Sequence, residues 1–235
     1  MIEDKKVIFA CEYYIFAGFF CGGIIMKTKK MITMAMFCAA AFIMVSLIRI
    51  PLVPAVPFLH YEPKDVIIVI AGFIYGPLSA FIISAVVSLI ELFTISQTGI
   101  IGFIMNIIST CSFACCAAFV YKKIRTMKGA ISGLSFGVVL MVSAMLLWNY
   151  LITPLYMSIP RSEIVKLLIP AFLPFNLIKG VLNMSFALLL YKPIITALRK
   201  TYSIELGENH NKSYAGLILA IALIVFTVLA VFIIK

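Results

Sequence analysis

The chain has few charged residues, few acidic ones in particular, and none of the motifs typical of nucleotide hydrolysis or hydrolytic catalysis. Only 12% of its 235 residues are charged, with 9 Asp and Glu against 19 Lys and Arg. The hydrophobic share is 64% and the mean hydropathy +1.17, whereas soluble domains are about 45–50% apolar. The sequence contains no phosphate-binding loop, no HExxH or GxSxG string and no paired-aspartate metal motif. This composition excludes an ordinary soluble domain and predicts an all-α, polytopic membrane protein.

The net charge of +10 and the six cysteines do not by themselves indicate a ligand. The basic residues lie between apolar runs, where they orient a membrane protein, and no nucleic-acid motif accompanies them. Cys111, Cys115 and Cys116 share one predicted helix, but no His or carboxylate lies near them in the sequence. We interpret them as small packing residues. The sequence therefore predicts no nucleic-acid partner, no disulfide and no metal site.

Apolar runs of membrane-helix character set the predicted organisation of the chain. They cover about 31–50, 65–76, 77–95, 102–121, 129–152, 171–191 and 213–234. The first six predict a six-helix core over 27–200, followed by a polar linker (201–212) and an extra C-terminal transmembrane helix (213–235). Residues 1–26 form a hydrophobic extension. It is an additional span, an uncleaved anchor or an artefact of start-site choice, and the sequence leaves these alternatives open.

Basic residues give the predicted orientation of the core. Eleven Lys and Arg residues flank the runs on one side. The other side has four: Arg49, Lys64, Arg161 and Lys166. Because basic residues concentrate on the cytoplasmic side, both ends of the core are predicted to lie inside. A tight turn at Gly76-Pro77 then joins the second and third helices.

With this orientation, polar side chains on four helices fall in the outer half of the membrane. Asn176 and Lys179 lie one turn apart early in the sixth helix, and an ionised lysine there costs about 2.5–3.5 kcal/mol. Glu91 lies roughly 21 Å along the third helix at 1.5 Å per residue, and Asn106 and Asn149 lie near the outer ends of their helices. These positions predict a pocket open to the outside. Two alternatives are amides that join helices and a Glu91–Lys179 ion pair.

Two further features are each open to two interpretations. The first external loop, about residues 51–64, is rich in proline and carries His60 and Tyr61. It is either a rigid connector or a cap over the pocket. Ala35 and Ala39 place small side chains on one face of the first helix, either for a further subunit or for internal packing.

Taken together, these features resemble the substrate-binding S components of energy-coupling-factor (ECF) vitamin importers, and the riboflavin-specific type most. The resemblance covers about residues 31–200. Its most specific motif is Pro174-Phe175-Asn176-Leu177-Ile178-Lys179-Gly180. The other matching strings are Lys64-Asp65-Val66, Gly76-Pro77, Asn149-Tyr150 and Pro154-Leu155-Tyr156.

The resemblance implies a bacterial plasma-membrane protein that binds riboflavin from outside, without catalytic activity or a cofactor of its own. A transmembrane T component and two cytoplasmic ATPases would then drive uptake, which agrees with the missing nucleotide motifs. The implied flavin contacts are Asn149, Asn176 and Lys179, and the implied contacts with the T component are Ala35 and Ala39. We add Glu91, Asn106 and Tyr61 as candidate substrate contacts.

Three other functions remain as alternatives at this point. In the first, the chain is an S component for a different vitamin. In the second, it is an ion-gradient-driven carrier with Glu91 as its proton site. In the third, it is a membrane-embedded enzyme. The last lacks an acid–base or metal constellation in the sequence.

Overall fold

The computed structural model describes residues 28–51, 59–96, 98–202, 218–225 and 227. The chain divides into two compact units, Met1–Met36 and Phe37–Lys235. Of the first unit, the description covers the beginning of one helix. The cavity and all side-chain contacts discussed below lie within the second unit.

The described chain is almost entirely helical, as its composition predicts. The helices are α1 (Thr28–Leu47), α2 (Lys64–Tyr75), α3 (Pro77–Thr94), α4 (Gly99–Thr110), α5 (Cys116–Lys123), α6 (Met127–Met157), α7 (Arg161–Leu167) and α8 (Leu173–Tyr202). One π-helical turn, Cys111–Cys115, makes α4 and α5 continuous, and another, Leu168–Phe172, does the same for α7 and α8. Strands β1 (Ile50–Pro51) and β2 (His60–Tyr61) pair antiparallel. The predicted all-α fold is therefore confirmed, whereas the bounds 27–200 of the six-helix core stay a prediction.

Five helices in the described part of the chain are long and apolar enough to cross a membrane. They cover Lys30–Leu47, Pro77–Thr94, Gly99–Lys123, Met127–Leu155 and Arg161–Tyr191. Helix α2 is the remaining member of the core, and its 12 residues span only about 18 Å at 1.5 Å per residue. The hydrocarbon core is about 30 Å thick, so α2 does not cross it alone.

Burial in this protein is inverted relative to a soluble domain. Large apolar side chains point outward, with Phe93 80% exposed and Leu47 77% exposed. Lys64 and Asp65 are each only 1% exposed. This pattern suits a protein whose solvent is lipid, because intramembrane charges face the protein interior and pair there.

The turn between α2 and α3 has the form that its sequence predicts. Gly76 has a φ of 94°, which a residue with a side chain rarely adopts, and Pro77 occupies the first turn of α3. One turn earlier, a Cβ placed on Gly72 would lie 3.0 Å from the Cβ of Ala118. These small residues allow α2 to pack closely against its neighbours.

Prolines shape the start of α8, where the most specific sequence motif lies. Pro170 falls within the π-helical turn and Pro174 in the first turn of α8. Neither has a backbone N–H to donate along the helix. Phe172 and Phe175 pack with Leu59 from the end of the first loop. This packing joins the loop to the helix that carries Asn176 and Lys179.

Several predicted segments fall wholly or partly outside the described residues. These are the extension 1–26, loop residues 52–58 and most of the linker 201–212. Of the predicted C-terminal helix, the description covers residues 218–225 and 227, which are helical. The assignments of these segments stay predictions.

Candidate functional site

A polar cavity lies between the end of the first loop and helices α3, α4, α6 and α8. Four of the predicted substrate contacts line it: Glu91, Asn106, Asn176 and Lys179. Its atom-free space, including the opening to solvent, is about 740 Å³. The structure therefore brings together four residues that the sequence placed at a similar depth on three separate helices.

One side of the cavity is lined by Arg49, Glu62, Glu91 and Asn106. With the buried Lys64, these residues form a network that we call the Lys64 cluster. Lys64 Nζ donates to Glu91 Oε1 at 2.7 Å and lies 3.0 Å from Glu62 Oε2. Arg49 Nη2 donates to Glu62 Oε1 at 2.9 Å. Asn106 Nδ2 donates to Glu91 Oε2 at 2.9 Å. Each carboxylate in this cluster is thus bound by two different side chains.

A second network, the Asp65 cluster, consists of Tyr61, Asp65, Thr110, Lys179 and Asn183. Asp65 accepts hydrogen bonds from Thr110 Oγ1 at 2.6 Å and from Asn183 Nδ2 at 3.1 Å. Tyr61 donates to Asn183 Oδ1 at 3.1 Å. Lys179 Nζ lies 3.5 Å from Asp65 Oδ2. Helices α2, α4 and α8 therefore meet at this carboxylate, and Tyr61 from the end of the first loop binds its partner Asn183.

These contacts correct two sequence-based interpretations. A Glu91–Lys179 pair is wrong, because Glu91 binds Lys64 and Lys179 lies beside Asp65. Lys179 also has a counter-ion within the chain, so a ligand is not required to offset its charge. Lys64, assigned above to the outer flank of the helices, lies inside the protein together with Asp65, since both occupy the buried first turn of the short helix α2.

Two predicted contacts lie away from the cavity lining. Tyr61 is buried and bonded to Asn183. Asn149 is also buried, and its Oδ1 accepts from Thr153 at 3.0 Å. Its Nδ2 has no hydrogen-bond partner among the described residues. Neither residue lines the cavity, and their roles as substrate contacts stay predictions.

The sequence analysis missed several residues of the site. Ser109 lines the cavity, is 3% exposed, and its Oγ has no hydrogen-bond partner in the described part of the chain. It follows Asn106 by three residues on α4, which is the spacing that could have revealed it. Arg49 and Glu62 line the cavity as well, although Arg49 was used above only for orientation and Glu62 was not considered.

The electrostatics of the site keep Glu62 ionised. Burial raises the pKa of this carboxyl, but the positive charges of Lys64, Lys179 and Arg49 outweigh that effect and lower the pKa to about 2. At Tyr61, burial and the nearby Asp65 both raise the pKa of the hydroxyl. Glu62 is thus charged, and Tyr61 protonated, at neutral pH.

The helix that carries the predicted partner contacts lies outside this site. Ala35 and Ala39 are both exposed on α1. Their assignment to subunit docking stays a prediction.

Comparison with known proteins places the chain in a family. The family model described as "ECF transporter, substrate-specific component" matches residues 29–191, which include every residue of the cavity. The chain belongs to this family. It is a multi-pass bacterial membrane protein and the substrate-binding component of a transporter.

Similar proteins support this membership, and their alignments with this chain cover most of their length. The riboflavin transporter FmnP of Bacillus subtilis (strain 168) is 32% identical over 178 residues, which cover 71% of this chain and 93% of the relative. The riboflavin transporter RibU of Staphylococcus aureus (strain TCH60) is 28% identical over 180 residues, 74% of this chain and 94% of the relative. A solved structure, titled "Structure and mechanism of the S component of a bacterial ECF transporter", superposes with a TM-score of 0.63 at 30% identity. It covers 74% of this chain and 99% of that one.

Proposed function

We propose that this ECF substrate-specific component captures riboflavin at the outer membrane face and has no catalytic activity of its own. The observation that carries the proposal is the buried cavity lined by Asn106, Asn176 and Lys179, in a chain whose relatives are named riboflavin transporters. A transmembrane T component and two ATPases would supply the energy for uptake. Ala35 and Ala39 would contact the T component.

The chemistry of the cavity suits a flavin. Riboflavin has a flat apolar ring system with a uracil-like edge of hydrogen-bond donors and acceptors, and ligand sites combine apolar walls with a few placed polar groups. Phe103, Met145 and Phe175 supply apolar surface. Asn176 and Ser109 supply polar atoms for the ring edge.

Two polar groups of the cavity retain capacity for a ligand. Lys179 Nζ is 3.5 Å from Asp65, longer than the roughly 2.7–2.9 Å of a charge-assisted hydrogen bond. Asn176 Nδ2 donates to the Phe172 carbonyl at 2.8 Å, and no donor among the described residues contacts its Oδ1. Because the atom-free space includes the opening to solvent, a flavin would also occupy that opening.

The decisive measurement is riboflavin binding by the detergent-purified protein. We expect a yellow preparation or saturable quenching of flavin fluorescence on titration. Asn176→Ala and Lys179→Ala should each weaken binding by at least about tenfold, equivalent to about 1.4 kcal/mol. Lys166→Ala is the matched control, since Lys166 is an exposed lysine paired with Glu163. Unchanged affinity in both cavity variants would remove the assignment of the pocket.

Reconstitution tests the proposed partners. In liposomes, riboflavin uptake should require ATP together with the T component and the ATPases. Replacing Ala39 with Leu should weaken this assembly without changing riboflavin affinity. Uptake by the protein alone, driven by a pH gradient, would instead support a carrier with Glu91 as its proton site.

A further inference from the structure

The charges in and behind the cavity walls balance one another. Counting histidine as neutral, the described residues of the two clusters hold three cations, Arg49, Lys64 and Lys179, and three carboxylates, Glu62, Asp65 and Glu91. Every one of these six groups contacts a group of opposite sign. Apart from Arg49, all of them are buried.

A balanced, buried set of charges responds strongly to the charge of a ligand. Each cation already contacts a carboxylate, so an added anion meets the repulsion of that carboxylate together with the attraction of the cation. Charge interactions away from bulk water are several times stronger than those in water. An uncharged ligand leaves the balance undisturbed, whereas a phosphorylated one brings up to two negative charges into it.

We infer that this site selects uncharged flavins over phosphorylated ones, with Glu91 as the specificity-determining residue; the inference rests on the proposed function. Glu91 lines the cavity and is 3% exposed. Its carboxylate contacts Lys64, a cation that also contacts Glu62. Removing the charge of Glu91 leaves Lys64 partly uncompensated and makes the site attractive to a phosphate.

Glu91 permits a nearly isosteric test. In Glu91→Gln the amide oxygen still accepts from Lys64 or Asn106, so shape and volume are kept while one negative charge is lost. The double variant Lys64→Met/Glu91→Gln restores the balance. Glu163→Gln removes an equal charge from an exposed position on α7, and serves as the control for net charge of the whole protein.

The experiment measures the dissociation constants of riboflavin and riboflavin 5′-phosphate for each variant, and compares their ratio. The ratio cancels losses that affect both ligands equally. We expect wild type to favour riboflavin, Glu91→Gln to reduce that preference by about tenfold or more, and the double variant and Glu163→Gln to retain it. Lys179→Gln, which removes a cation from the cavity, should increase the preference.

Several outcomes would overturn the inference. A ratio in Glu91→Gln equal to that in Glu163→Gln would contradict it. If Glu91→Gln does not fold, an unchanged or smaller preference in Lys179→Gln contradicts it instead. A wild-type protein that binds riboflavin without preferring it over the phosphate refutes the inference alone. Failure of wild type to bind either flavin refutes the proposed function and the inference together.

Discussion

The two ends of helix α2 are held by different kinds of interaction. Its first turn carries Lys64 and Asp65, which bind carboxylates, amides and a hydroxyl from other elements. Its last turn carries Phe73, whose ring centroid lies 4.5 Å from that of Tyr121 and 6.1 Å from that of Tyr191. Since α2 has 12 residues, these two clusters lie less than about 18 Å apart.

The difference between the two ends of α2 indicates which end takes part in ligand binding. Aromatic contacts at one end suffice to pack α2 against its neighbours, and each contributes only about 0.5–1.5 kcal/mol beyond area burial. Buried charges are a weak means of packing helices, because desolvation offsets much of their attraction. Their concentration at the other end, around a cavity, therefore agrees with a role in ligand binding.

The largest effect should follow from removing the central cation of the polar end. In Lys64→Met, Glu91 loses the cation that it contacts, and Glu62 keeps its ion pair with Arg49. Removing one partner of a buried pair costs about 3–5 kcal/mol. We expect a loss of this size in the free energy of unfolding, measured by denaturant titration in detergent micelles, with part of it recovered in Lys64→Met/Glu91→Gln.

An exposed lysine provides the control for this comparison. The side chain of Lys166 is 70% exposed and forms an ion pair with Glu163, and such surface pairs contribute at most about 1 kcal/mol. Lys166→Met should therefore leave the free energy of unfolding nearly unchanged. Similar losses in Lys64→Met and Lys166→Met would show that burial does not distinguish the two pairs.

A smaller effect is expected from titrating the same end with acid. The pKa of Glu62 is lowered from 4.5 to about 2 by its cationic neighbours against the opposing effect of burial. The ionised carboxylate thus stabilises the folded state above about pH 4.5, and this contribution is lost as the pH falls towards 2. Glu62→Gln should be less stable than wild type by roughly 2–3 kcal/mol at pH 7, and the difference should shrink by pH 3.

Thermal unfolding in detergent between pH 7 and pH 3 measures this difference, with Glu163→Gln as the exposed control. A gap between wild type and Glu62→Gln that stays constant over this range would contradict the role given to Glu62. The comparison with wild type is needed because other carboxyl groups titrate in the same range.

Hydropathy and depth along the helices predicted much of this site. Glu91, Asn106, Asn176 and Lys179 were placed at similar heights, and the structure brings all four to one cavity. Depth does not give the rotation of a helix about its axis. Asn149, a flavin contact implied by the family resemblance, also lies near the outer end of its helix, but it does not line the cavity and its side chain bonds to Thr153.

The charged partners were harder to predict. Lys64 and Asp65 border an apolar run, and hydropathy assigns such charges to the loop outside the membrane. Their partners Glu91 and Lys179 are distant in the sequence and come from different helices, so no local spacing indicates the pairs. The one available signal was the length of the second run, which is too short to span a bilayer and so allows its first turn to lie within the protein.

The smallest expected effect belongs to the aromatic end. The hydroxyls of Tyr121 and Tyr191 lie 2.8 Å apart, and one such hydrogen bond contributes about 0.5–1.5 kcal/mol. Tyr121→Phe keeps the ring contacts with Phe73 and removes this bond, so the free energy of unfolding should fall by about 1 kcal/mol.

Riboflavin affinity is the second measurement on Tyr121→Phe, and it should stay within about twofold of wild type, because the hydroxyl lies at the opposite end of α2 from the cavity. The partly exposed Tyr150, changed to Phe, controls for loss of a phenol at the surface. If Tyr121→Phe instead weakened riboflavin binding as much as Lys179→Ala, the two ends of α2 would be energetically coupled. The separation drawn here between a packing end and a binding end would then be wrong.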